Sequence, residues 1–359
     1  MNKQTIAFVA GRSGGHIIPA LTLVKQIKSQ NPTCEILFFT TAHPLDLAII
    51  KKQGTFINKH IALKLGNVPF FNIFKILAFL IAFIYAFFKC SSYLRAFKPE
   101  KIIGMGGYIS LPVCFAAYIL RIPIHLYDLD AKPGKATRYL KKYAQKIFIC
   151  FEQAQEYFPR EKCELIDYPI RFNSNCKNSN VAHALNALRL HPNKKTIFIN
   201  GGSQGSVFIN NCIKNWLDLN PHLYSLIQII HQTGSADATN WQMLYNDLEI
   251  TANIFSYKED LAPCYIAADL VICRSGAGSL FEAIFFNKPC LTIPHETSST
   301  THQKENACAL SKRYPQLITM LTEQEIKYDN MVLFRVLNKY IYSNTQSLNK
   351  NCTATILSE

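Results

Sequence analysis

Three short glycine-rich runs each follow a stretch of the sequence that has the composition of a buried strand. They read Gly11-Arg12-Ser13-Gly14-Gly15-His16, Gly104-Met105-Gly106-Gly107-Tyr108 and Gly201-Gly202-Ser203-Gln204-Gly205-Ser206. Glycine at the end of a strand lets the backbone approach a ligand closely, and the free N–H groups of a following helix attract an anion. One such loop is weak evidence, because glycine turns also serve geometry alone. Three of them, in both halves of the chain, indicate a ligand that carries phosphate.

Two common phosphate-binding patterns are absent from the sequence. No GxxxxGK run followed by Ser or Thr occurs, and the first glycine run lacks the GxGxxG spacing of dinucleotide-binding proteins. The second predicted strand ends in Thr40 and Thr41 rather than in an acidic residue that would hold the ribose of NAD. Hydride transfer is therefore disfavoured, and we expect no cofactor.

A polar cluster in the second half points to a nucleotide sugar. The run Arg274-Ser275-Gly276-Ala277-Gly278-Ser279 follows a predicted strand, and Glu282 lies one helical turn further on. A carboxylate there can accept hydrogen bonds from both hydroxyls of a ribose. Gln303 and Asn306 lie one turn apart on a later helix, where their amides suit sugar hydroxyls. Helix capping explains either group alone, but it explains both beside a phosphate loop less well.

The cysteines and histidines do not indicate a metal site or a disulfide framework. The chain has twelve cysteines and no CxxC pair, so zinc ribbons and thioredoxin-type sites lack support. Cys114 and Cys273 lie within apolar runs, where cysteine behaves as a small hydrophobic residue. His43, His60 and His125 are isolated, and no signal peptide is recognised. We expect no metal and a reducing cytoplasmic environment.

Short apolar runs alternate with longer helical stretches along the whole chain, and nine of them are predicted strands. They are Thr5–Ala10, Glu35–Thr40, Ile102–Met105, Ile124–Asp128, Lys146–Phe151, Thr196–Asn200, Leu226–Gln232, Leu270–Cys273 and Cys290–Pro294. They show little polar alternation, which is typical of strands covered on both faces. The alternation of strand and helix predicts an α/β fold with two parallel, Rossmann-like sheets that face a central cleft.

The length of 359 residues also favours two domains. We expect an N-terminal domain over residues 1–167 and a C-terminal domain over residues 168–359, because a polar, asparagine-rich stretch follows the join. A return of the last helix to the N-terminal domain stays open as an alternative.

Positive charge is concentrated in the first half of the chain. The sequence has 38 Lys and Arg residues against 24 Asp and Glu residues, and residues 1–170 hold 22 of the basic and 10 of the acidic ones. Such an excess suits nucleic acid, an anionic membrane or a phosphorylated ligand. We expect no nucleic-acid partner, because the basic residues do not accompany an RNA- or DNA-reading motif.

One apolar segment differs from the rest of the sequence. Ile76–Phe88 contains no charge and no amide, and it is flanked by Lys75 and Lys89. It is shorter than the roughly 20 residues that a bilayer span needs, and a buried core helix is one interpretation. Apolar residues all round the helix, the dense aromatic residues of Phe70–Phe88 and the nearby positive charge favour a helix that dips one face into an anionic membrane surface.

Taken together, these motifs resemble the MurG glycosyltransferases. The matching runs occur in the same order over about residues 5–310: GRSGGHIIPAL, GMGGYIS, YPIR, INGGSQGS, IIHQTG, YIAADLVICRSGAGSLFEA, KPCLTIP and HQKENA. The most specific are GGSQG, HQTG and the Arg-Ser-Gly-Ala-Gly run that ends at Glu282.

The resemblance implies a GT-B architecture and a UDP-GlcNAc-dependent hexosyltransferase of the glycosyltransferase family 28 type. It implies inverting transfer of N-acetylglucosamine to undecaprenyl-pyrophosphoryl-MurNAc-pentapeptide (lipid I), which gives lipid II in peptidoglycan synthesis. The implied location is peripheral, on the cytoplasmic face of the cell's inner membrane. Cell wall biogenesis, cell shape and cell division are the processes that such an enzyme serves.

The resemblance also implies residue roles. The residues implied to bind UDP-GlcNAc are Ser13, Gly14, Gly15, Asp130, Arg171, Ser203, Asn210, Ala277, Gly278, Ser279, Leu280, Phe281, Glu282, Gln303 and Asn306. Among them, Ser203 would hold the donor phosphate and Glu282 the ribose. The residues implied on the acceptor side are Gly106, Gly107 and Tyr108.

The departures from the family pattern fall mainly on the acceptor side. Tyr127-Asp128-Leu129-Asp130 stands where the family has His-Glu-Gln-Asn, and Thr137 stands for an asparagine of the next helix. Asp130 adds negative charge near an expected diphosphate, which weakens binding unless Lys132, Lys135 or Arg171 offsets it.

An inverting displacement needs a base for the acceptor hydroxyl and groups that stabilise the leaving diphosphate. His16 is the first candidate for the base, because histidine titrates near neutrality, and Asp128 is its rival. A purely orienting role for His16 stays open. Other functions also stay open: a related GT-B transferase with another lipid acceptor, a UDP-GlcNAc 2-epimerase, and a non-catalytic nucleotide-sugar binder.

Overall fold

The computed structural model describes residues 4–11, 14–66, 73–202, 205–234, 237–296 and 302–343. The chain divides into two compact units, with the boundary between Arg171 and Phe172. Each unit is built on one sheet in which every pair of neighbouring strands is parallel. The predicted α/β fold with two parallel, Rossmann-like sheets is therefore confirmed.

The first unit contains a seven-stranded sheet with the order β3-β2-β1-β4-β5-β6-β7. Its strands are β1 (Thr5–Val9), β2 (Glu35–Thr41), β3 (Lys59–Leu63), β4 (Lys101–Gly104), β5 (Ile124–Asp128), β6 (Lys146–Ile149) and β7 (Cys163–Leu165). The α-helices described between them are α1 (Gly14–Gln30), α2 (Pro44–Gln53), α3 (Ile73–Phe97), α4 (Ser110–Ile119) and α5 (Lys135–Leu140). Short 3-10 helices at Glu152–Tyr157 and Arg160–Lys162 precede β7.

The second unit contains a six-stranded sheet with the order β10-β9-β8-β11-β12-β13. Its strands are β8 (Lys195–Asn200), β9 (Ile227–Gln232), β10 (Ala252–Phe255), β11 (Leu270–Cys273), β12 (Cys290–Thr292) and β13 (Ile318–Met320). Its α-helices in the described ranges are α6 (Val181–Ala187), α7 (Val207–Asp218), α8 (Trp241–Asp247), α9 (Ala262–Ala267), α10 (Ala277–Phe285), α11 (His302–Arg313), α12 (Glu323–Tyr328) and α13 (Asn330–Ser343). Short 3-10 helices lie at Ser174–Asn178 and Pro221–Leu223.

The nine predicted strands are all present, and their bounds differ from the prediction by at most two residues. The strands that the sequence did not predict are β3, β7, β10 and β13, and each is the outermost strand of its sheet. Most of their residues are half-buried or exposed. Because an edge strand has a neighbour on one side only, it does not need the continuous apolar run by which the central strands were recognised.

The last described helix belongs to the core of the second unit. Buried residues of β8, β11 and α7 form this core, among them Ile199, Ile272 and Trp216. Helix α13 adds four buried side chains to it, Leu333, Phe334, Leu337 and Ile341. The indole N–H of Trp216 also donates a hydrogen bond to Asn338 Oδ1 at 3.2 Å, which joins α7 to α13.

Helix α3 has a packed end and an exposed end. Ala86, Cys90, Ser91 and Leu94 are buried toward its C-terminus, where the helix packs against α4. Large apolar side chains are exposed nearer its start; they are Ile73, Phe74, Leu77, Leu80, Ile81, Ile84, Tyr85 and Phe88. An amphipathic helix that packed its apolar face into the core would bury these large side chains and expose polar ones.

The length of α3 also differs from the prediction. The helix has 25 residues, a mean hydropathy of 2.1 over its most apolar stretch, and 11% of that stretch buried. By length and composition, α3 is therefore long and apolar enough to cross a membrane. Within the described ranges, no other helix meets these two criteria. The argument that the segment is too short for a span was wrong, because the helix continues for more than two turns beyond the uncharged run.

Candidate active site

The first two glycine loops lie side by side in the first unit. Strands β1 and β4 are neighbours, with Val9 opposite Gly104 at their carboxyl ends. The N–H of Met105 continues this pairing by donating to the Val9 carbonyl at 2.9 Å. Because the strands are parallel, the loops that follow them leave the sheet at the same edge.

His16 lies directly against the second loop. A Cβ atom built on Gly106 would be 3.7 Å from Nε2 of His16, and one built on Gly107 would be 3.8 Å from its Nδ1. Both glycines have positive φ angles, +87° and +74°, which side chains other than glycine rarely adopt. The imidazole of His16 therefore packs against Gly106 and Gly107, the glycines predicted on the acceptor side.

Asp128 ends β5, the strand next to β4, and its side chain is 5% exposed. Burial raises the pKa of the Asp128 carboxyl to about 7, and the charge of Asp130 acts in the same direction. Hydrogen bonds from the Thr137 hydroxyl and from the N–H groups of Asp130 and Gly134 favour the carboxylate and limit the rise in pKa. A carboxyl that titrates near neutrality beside glycine loops is typical of functional sites.

Thr137 lies between Asp128 and the second glycine loop. Its hydroxyl is hydrogen-bonded to Asp128, and its Oγ1 would be 3.3 Å from a Cβ atom on Gly106. We call His16, Gly106, Thr137 and Asp128 the His16–Asp128 cluster. The sequence identified Thr137 only as a departure from the family pattern, because its distance along the chain from Asp128 gives no sign that the two side chains meet.

The other site residues predicted in the first unit lie in the glycine loops, at the start of α1 and after β5 and β7. Tyr108 donates its hydroxyl to the Leu65 carbonyl at 3.1 Å, which ties the second loop to the segment after β3. Gly14 and Gly15 are the first two residues of α1, so the helix begins within the glycine run rather than after it. Ser13 lies outside the described residues. Asp130 and Arg171 are half-buried.

The third glycine loop is held at both of its described flanks in the second unit. Gly202 donates its N–H to Asn200 Oδ1 at 3.0 Å, and its carbonyl accepts a hydrogen bond from Gln232 Nε2. Gly205 forms an isolated antiparallel bridge with Gly234. Ser203 lies outside the described residues. The sequence gave no role to Gln232, although it belongs to the HQTG run.

The run that follows β11 is also fixed by hydrogen bonds. Arg274 donates to the Ile293 carbonyl at 3.1 Å and forms an ion pair of 2.7 Å with Glu323. The Ser275 hydroxyl lies 2.7 Å from that of Thr292. Strands β8 and β11 are neighbours with Asn200 opposite Cys273, so this run and the third glycine loop leave the sheet at adjacent positions.

Helix α10 carries the residues predicted to surround a uridine. Gly278, Ser279 and Phe281 are half-buried, whereas Ala277, Leu280 and Glu282 are buried. Leu280 is fully buried and contributes to the core. Glu282 is 7% exposed on the next turn after Ser279, so its side chain is largely shielded from solvent.

Two of the amides predicted to bind the donor are buried beneath the loops. Asn210 and Asn306 are 0% exposed. The Asn306 amide donates to the Ser275 carbonyl at 3.4 Å, and Asn210 is hydrogen-bonded within the unit. Both amides are therefore hydrogen-bonded to protein acceptors, and their contact with a sugar nucleotide stays a prediction. Gln303 is half-buried, and its Oε1 accepts the His295 N–H at 2.8 Å.

Two parallel sheets with glycine loops at their carboxyl edges define a protein of the GT-B class, in which each half resembles a nucleotide-binding fold. Within the described ranges, no group of three or more His, Cys, Asp or Glu side chains is arranged to hold a metal ion. The model of the glycosyltransferase family 28 N-terminal domain matches residues 6–149, and that of the family 28 C-terminal domain matches residues 196–354. The chain belongs to glycosyltransferase family 28.

Curated relatives cover nearly the whole chain. A UDP-N-acetylglucosamine--N-acetylmuramyl-(pentapeptide) pyrophosphoryl-undecaprenol N-acetylglucosamine transferase of Trichlorobacter lovleyi is 30% identical over 327 residues, which are 88% of this chain and 84% of the relative. The enzyme of the same name from Myxococcus xanthus is 30% identical, over 86% of this chain and 78% of the relative. The crystal structure of Acinetobacter baumannii MurG is similar in fold, with a TM-score of 0.68 at 23% identity over 94% of this chain and 92% of that one.

The close approach at Gly106 predicts a loss of activity on substitution. A methyl group at a φ of +87° strains the backbone, at a cost of about 1–3 kcal/mol, and it would press on Thr137 and His16. We expect Gly106→Ala to lower the turnover of glycosyl transfer at least tenfold. Gly66→Ala is the matched control, because nothing lies within 4 Å of its Cβ position and its φ is not positive. Equal turnover in the two variants would contradict the contact.

The burial of Asp128 predicts a pH dependence of stability. Its pKa is about 7 in the folded protein and about 3.9 in an unfolded chain. The protonated carboxyl of Asp128 therefore stabilises the folded protein fully below about pH 4. This stabilisation decreases above pH 4 and is lost as the pH rises through about 7. In urea unfolding, we expect Asp128→Asn to gain stability relative to the wild type between pH 4 and pH 8, by up to about 4 kcal/mol. The exposed Asp247→Asn is the control, and a gain for Asp128→Asn that is independent of pH would argue against the raised pKa.

Proposed function

We propose that this protein transfers N-acetylglucosamine from UDP-GlcNAc to undecaprenyl-pyrophosphoryl-MurNAc-pentapeptide, which gives lipid II in peptidoglycan synthesis. The observation that carries the proposal is the match to relatives whose names state this activity, over 88% of the chain at 30% identity. The match includes both units, so the residues for donor and acceptor are drawn from a complete pair of family 28 domains.

The second unit supports binding of the donor. Its third glycine loop and the run after β11 leave the sheet at adjacent strands. Backbone N–H groups at the start of a helix that follows such a loop suit a diphosphate, and Ser203 adds a hydroxyl in the same run. The largely buried carboxylate of Glu282 suits the two hydroxyls of a ribose, and Gln303 on α11 suits the GlcNAc hydroxyls.

The first unit supports acid–base chemistry on the acceptor. His16 remains our first candidate for the base, and the His16–Asp128 cluster supplies a second titratable group. Because the pKa of Asp128 is about 7, a large part of it is ionised at neutral pH. Ionised Asp128 would accept the proton of the acceptor hydroxyl, or it would orient substrate through Thr137 while His16 accepts the proton.

A second candidate function is transfer to a different lipid acceptor. Asp128, Asp130 and Thr137 replace the family's glutamate and asparagines; Asp128 and Thr137 belong to the His16–Asp128 cluster, and Asp130 lies beside it. Carboxylates so close together disfavour a diphosphate at that point. A panel of lipid acceptors distinguishes this function from lipid I glycosylation. The epimerase and non-catalytic alternatives have less support, because both matching domain models are those of glycosyltransferases.

The exposed end of α3 supports attachment to an anionic membrane. Its apolar face continues into aromatic rings of α4 and of the turn after α5: the ring centroid of Phe83 lies 6.3 Å from that of Phe115, which lies 5.3 Å from that of Tyr143. Lys142 Nζ lies 4.9 Å from the ring centroids of both Tyr139 and Tyr143. Aromatic rings beside lysines suit the boundary between acyl chains and anionic headgroups. We therefore infer a peripheral enzyme on the cytoplasmic face of the inner membrane, with roles in cell wall biogenesis, cell shape and cell division.

The proposed reaction predicts release of UDP that depends on the acceptor. We expect the purified protein in detergent to release UDP from UDP-GlcNAc at least a hundredfold faster with lipid I than without it. A coupled assay for UDP measures this rate. Equal rates with and without lipid I, together with faster release on another polyprenyl acceptor, would favour the second candidate function.

The same assay identifies the base. If His16 is the base, His16→Ala lowers turnover by more than a hundredfold, and turnover within threefold of the wild type removes His16 from that role. If Asp128 is the base, Asp128→Asn abolishes turnover, whereas Asp128→Glu retains part of it and keeps a rise with pH near 7.

The exposed face of α3 predicts binding to anionic vesicles. Replacing Phe74 and Ile81 together by glutamate places two charges in this face, and we expect binding to phosphatidylglycerol vesicles to fall at least tenfold in sedimentation. Leu219→Glu is the control, because Leu219 is 61% exposed in the second unit. Unchanged binding of the double variant would exclude this face, and resistance of the wild type to alkaline carbonate extraction would indicate a span.

A further inference from the structure

A fully buried histidine lies beneath the third glycine loop. His231 belongs to β9 and is 0% exposed, and both of its ring nitrogens have partners. Nδ1 lies 2.9 Å from the hydroxyl of Tyr245, and Nε2 lies 3.1 Å from Oδ1 of Asn210. The ring of Trp241 packs against the imidazole, with the centroids 4.5 Å apart.

The partners of Asn210 determine which atom donates in each hydrogen bond that links Asn210, His231 and Tyr245. Its Nδ2 lies 3.2 Å from the Thr233 carbonyl and 2.6 Å from Oδ2 of Asp237. A carbonyl and a carboxylate only accept, so Nδ2 donates to both and Oδ1 faces His231. Nε2 of His231 therefore carries the hydrogen, and Nδ1 accepts from the Tyr245 hydroxyl.

The electrostatics agree with a neutral ring. Burial lowers the pKa of His231 to about 3, although the charge of Asp237 acts in the opposite direction. A protonated ring would place a hydrogen on Nδ1 as well, where the Tyr245 hydroxyl now donates. Tyr245 is itself buried, which raises the pKa of its hydroxyl and keeps it a donor.

This chain of hydrogen bonds is connected to both flanks of the third glycine loop. Asn210 lies in the first turn of α7, which begins directly after the loop, and Ser206 caps that helix. The Thr233 carbonyl that Asn210 holds packs against Gly205, where a Cβ atom would overlap it. Gln232, the neighbour of His231, holds the carbonyl of Gly202.

We propose that His231 is a positioning residue for the donor: through Asn210, it fixes the segment after β9 against Gly202 and Gly205, and so holds the two described flanks of the glycine loop that we propose receives a diphosphate. The proposal rests on the proposed function for the identity of that diphosphate. Preorganised donors bind a phosphate without reorganisation when the ligand arrives. A role confined to the stability of the unit would leave the affinity of the folded protein unchanged.

The test is the dissociation constant for UDP, measured by calorimetry on the full chain well below its unfolding temperature. We expect His231→Leu, which removes both ring nitrogens, to raise it at least tenfold. His231→Gln retains a donor to Asn210, and we expect it to stay within threefold of the wild type. We expect Asn210→Ala to raise the dissociation constant as much as His231→Leu does. The double variant should raise it no further than either single one, because both act through the same contact.

The controls separate this role from general damage. His60→Leu removes a histidine that pairs with Thr40 in the first unit, at 2.8 Å, and leaves UDP binding unchanged. If His231→Leu does not fold, Tyr245→Phe decides the question, and we expect its affinity for UDP to be at least threefold weaker than that of the wild type. Tyr224→Phe is its control and leaves the affinity unchanged, because the Tyr224 hydroxyl donates to the Leu217 carbonyl.

Two outcomes overturn the proposal in distinguishable ways. Affinity for UDP within twofold of the wild type in folded His231→Leu, or in Tyr245→Phe, removes the positioning role and leaves the proposed function intact. Absence of UDP binding by the wild type removes the proposed function, and with it the donor that the loop was inferred to receive.

Discussion

Parallel pairing of strands is the constraint on which the rest of this structure depends. In a parallel sheet, every carboxyl end lies at one edge, so residues far apart in the chain meet there without any local contact between them. The pairing of Val9 with Gly104 joins the first two glycine loops, and that of Asn200 with Cys273 joins the third loop to the run after β11. A slip of one residue in either register would move each loop's side chains to the opposite face of the sheet.

The two units use burial for opposite electrostatic purposes. In the first unit, burial raises the pKa of Asp128 to about 7, so a small change in its surroundings changes its protonation near neutral pH. In the second unit, burial keeps His231 neutral over the whole physiological range, so its hydrogen bonds do not depend on pH. A proton-transfer site needs a group that titrates, whereas a cradle for a permanently charged diphosphate needs donors whose direction stays fixed.

The sequence was sufficient for the central strands and for the loops that follow them, because burial on both faces leaves a continuous apolar signal. It was insufficient for β3, β7, β10 and β13, which are edge strands and lack that signal. The resemblance implied that Asn210 lies at the donor site, but it did not indicate the protein partners of this amide. The fold shows that Asn210 is hydrogen-bonded to Thr233, Asp237 and His231. The contact between Thr137 and Asp128 was equally invisible, because it joins two different elements of the first unit.

The uneven burial of α3 has a consequence for handling the protein. Its start presents a row of large apolar side chains to solvent, from Ile73 to Phe88, while its end is packed into the first unit. In plain aqueous buffer, such a row favours self-association, which removes it from water at the expense of a monodisperse sample. Detergent micelles or lipid nanodiscs would cover the same surface and keep single molecules in solution, so the choice of amphiphile determines whether size-exclusion profiles report one chain or an aggregate.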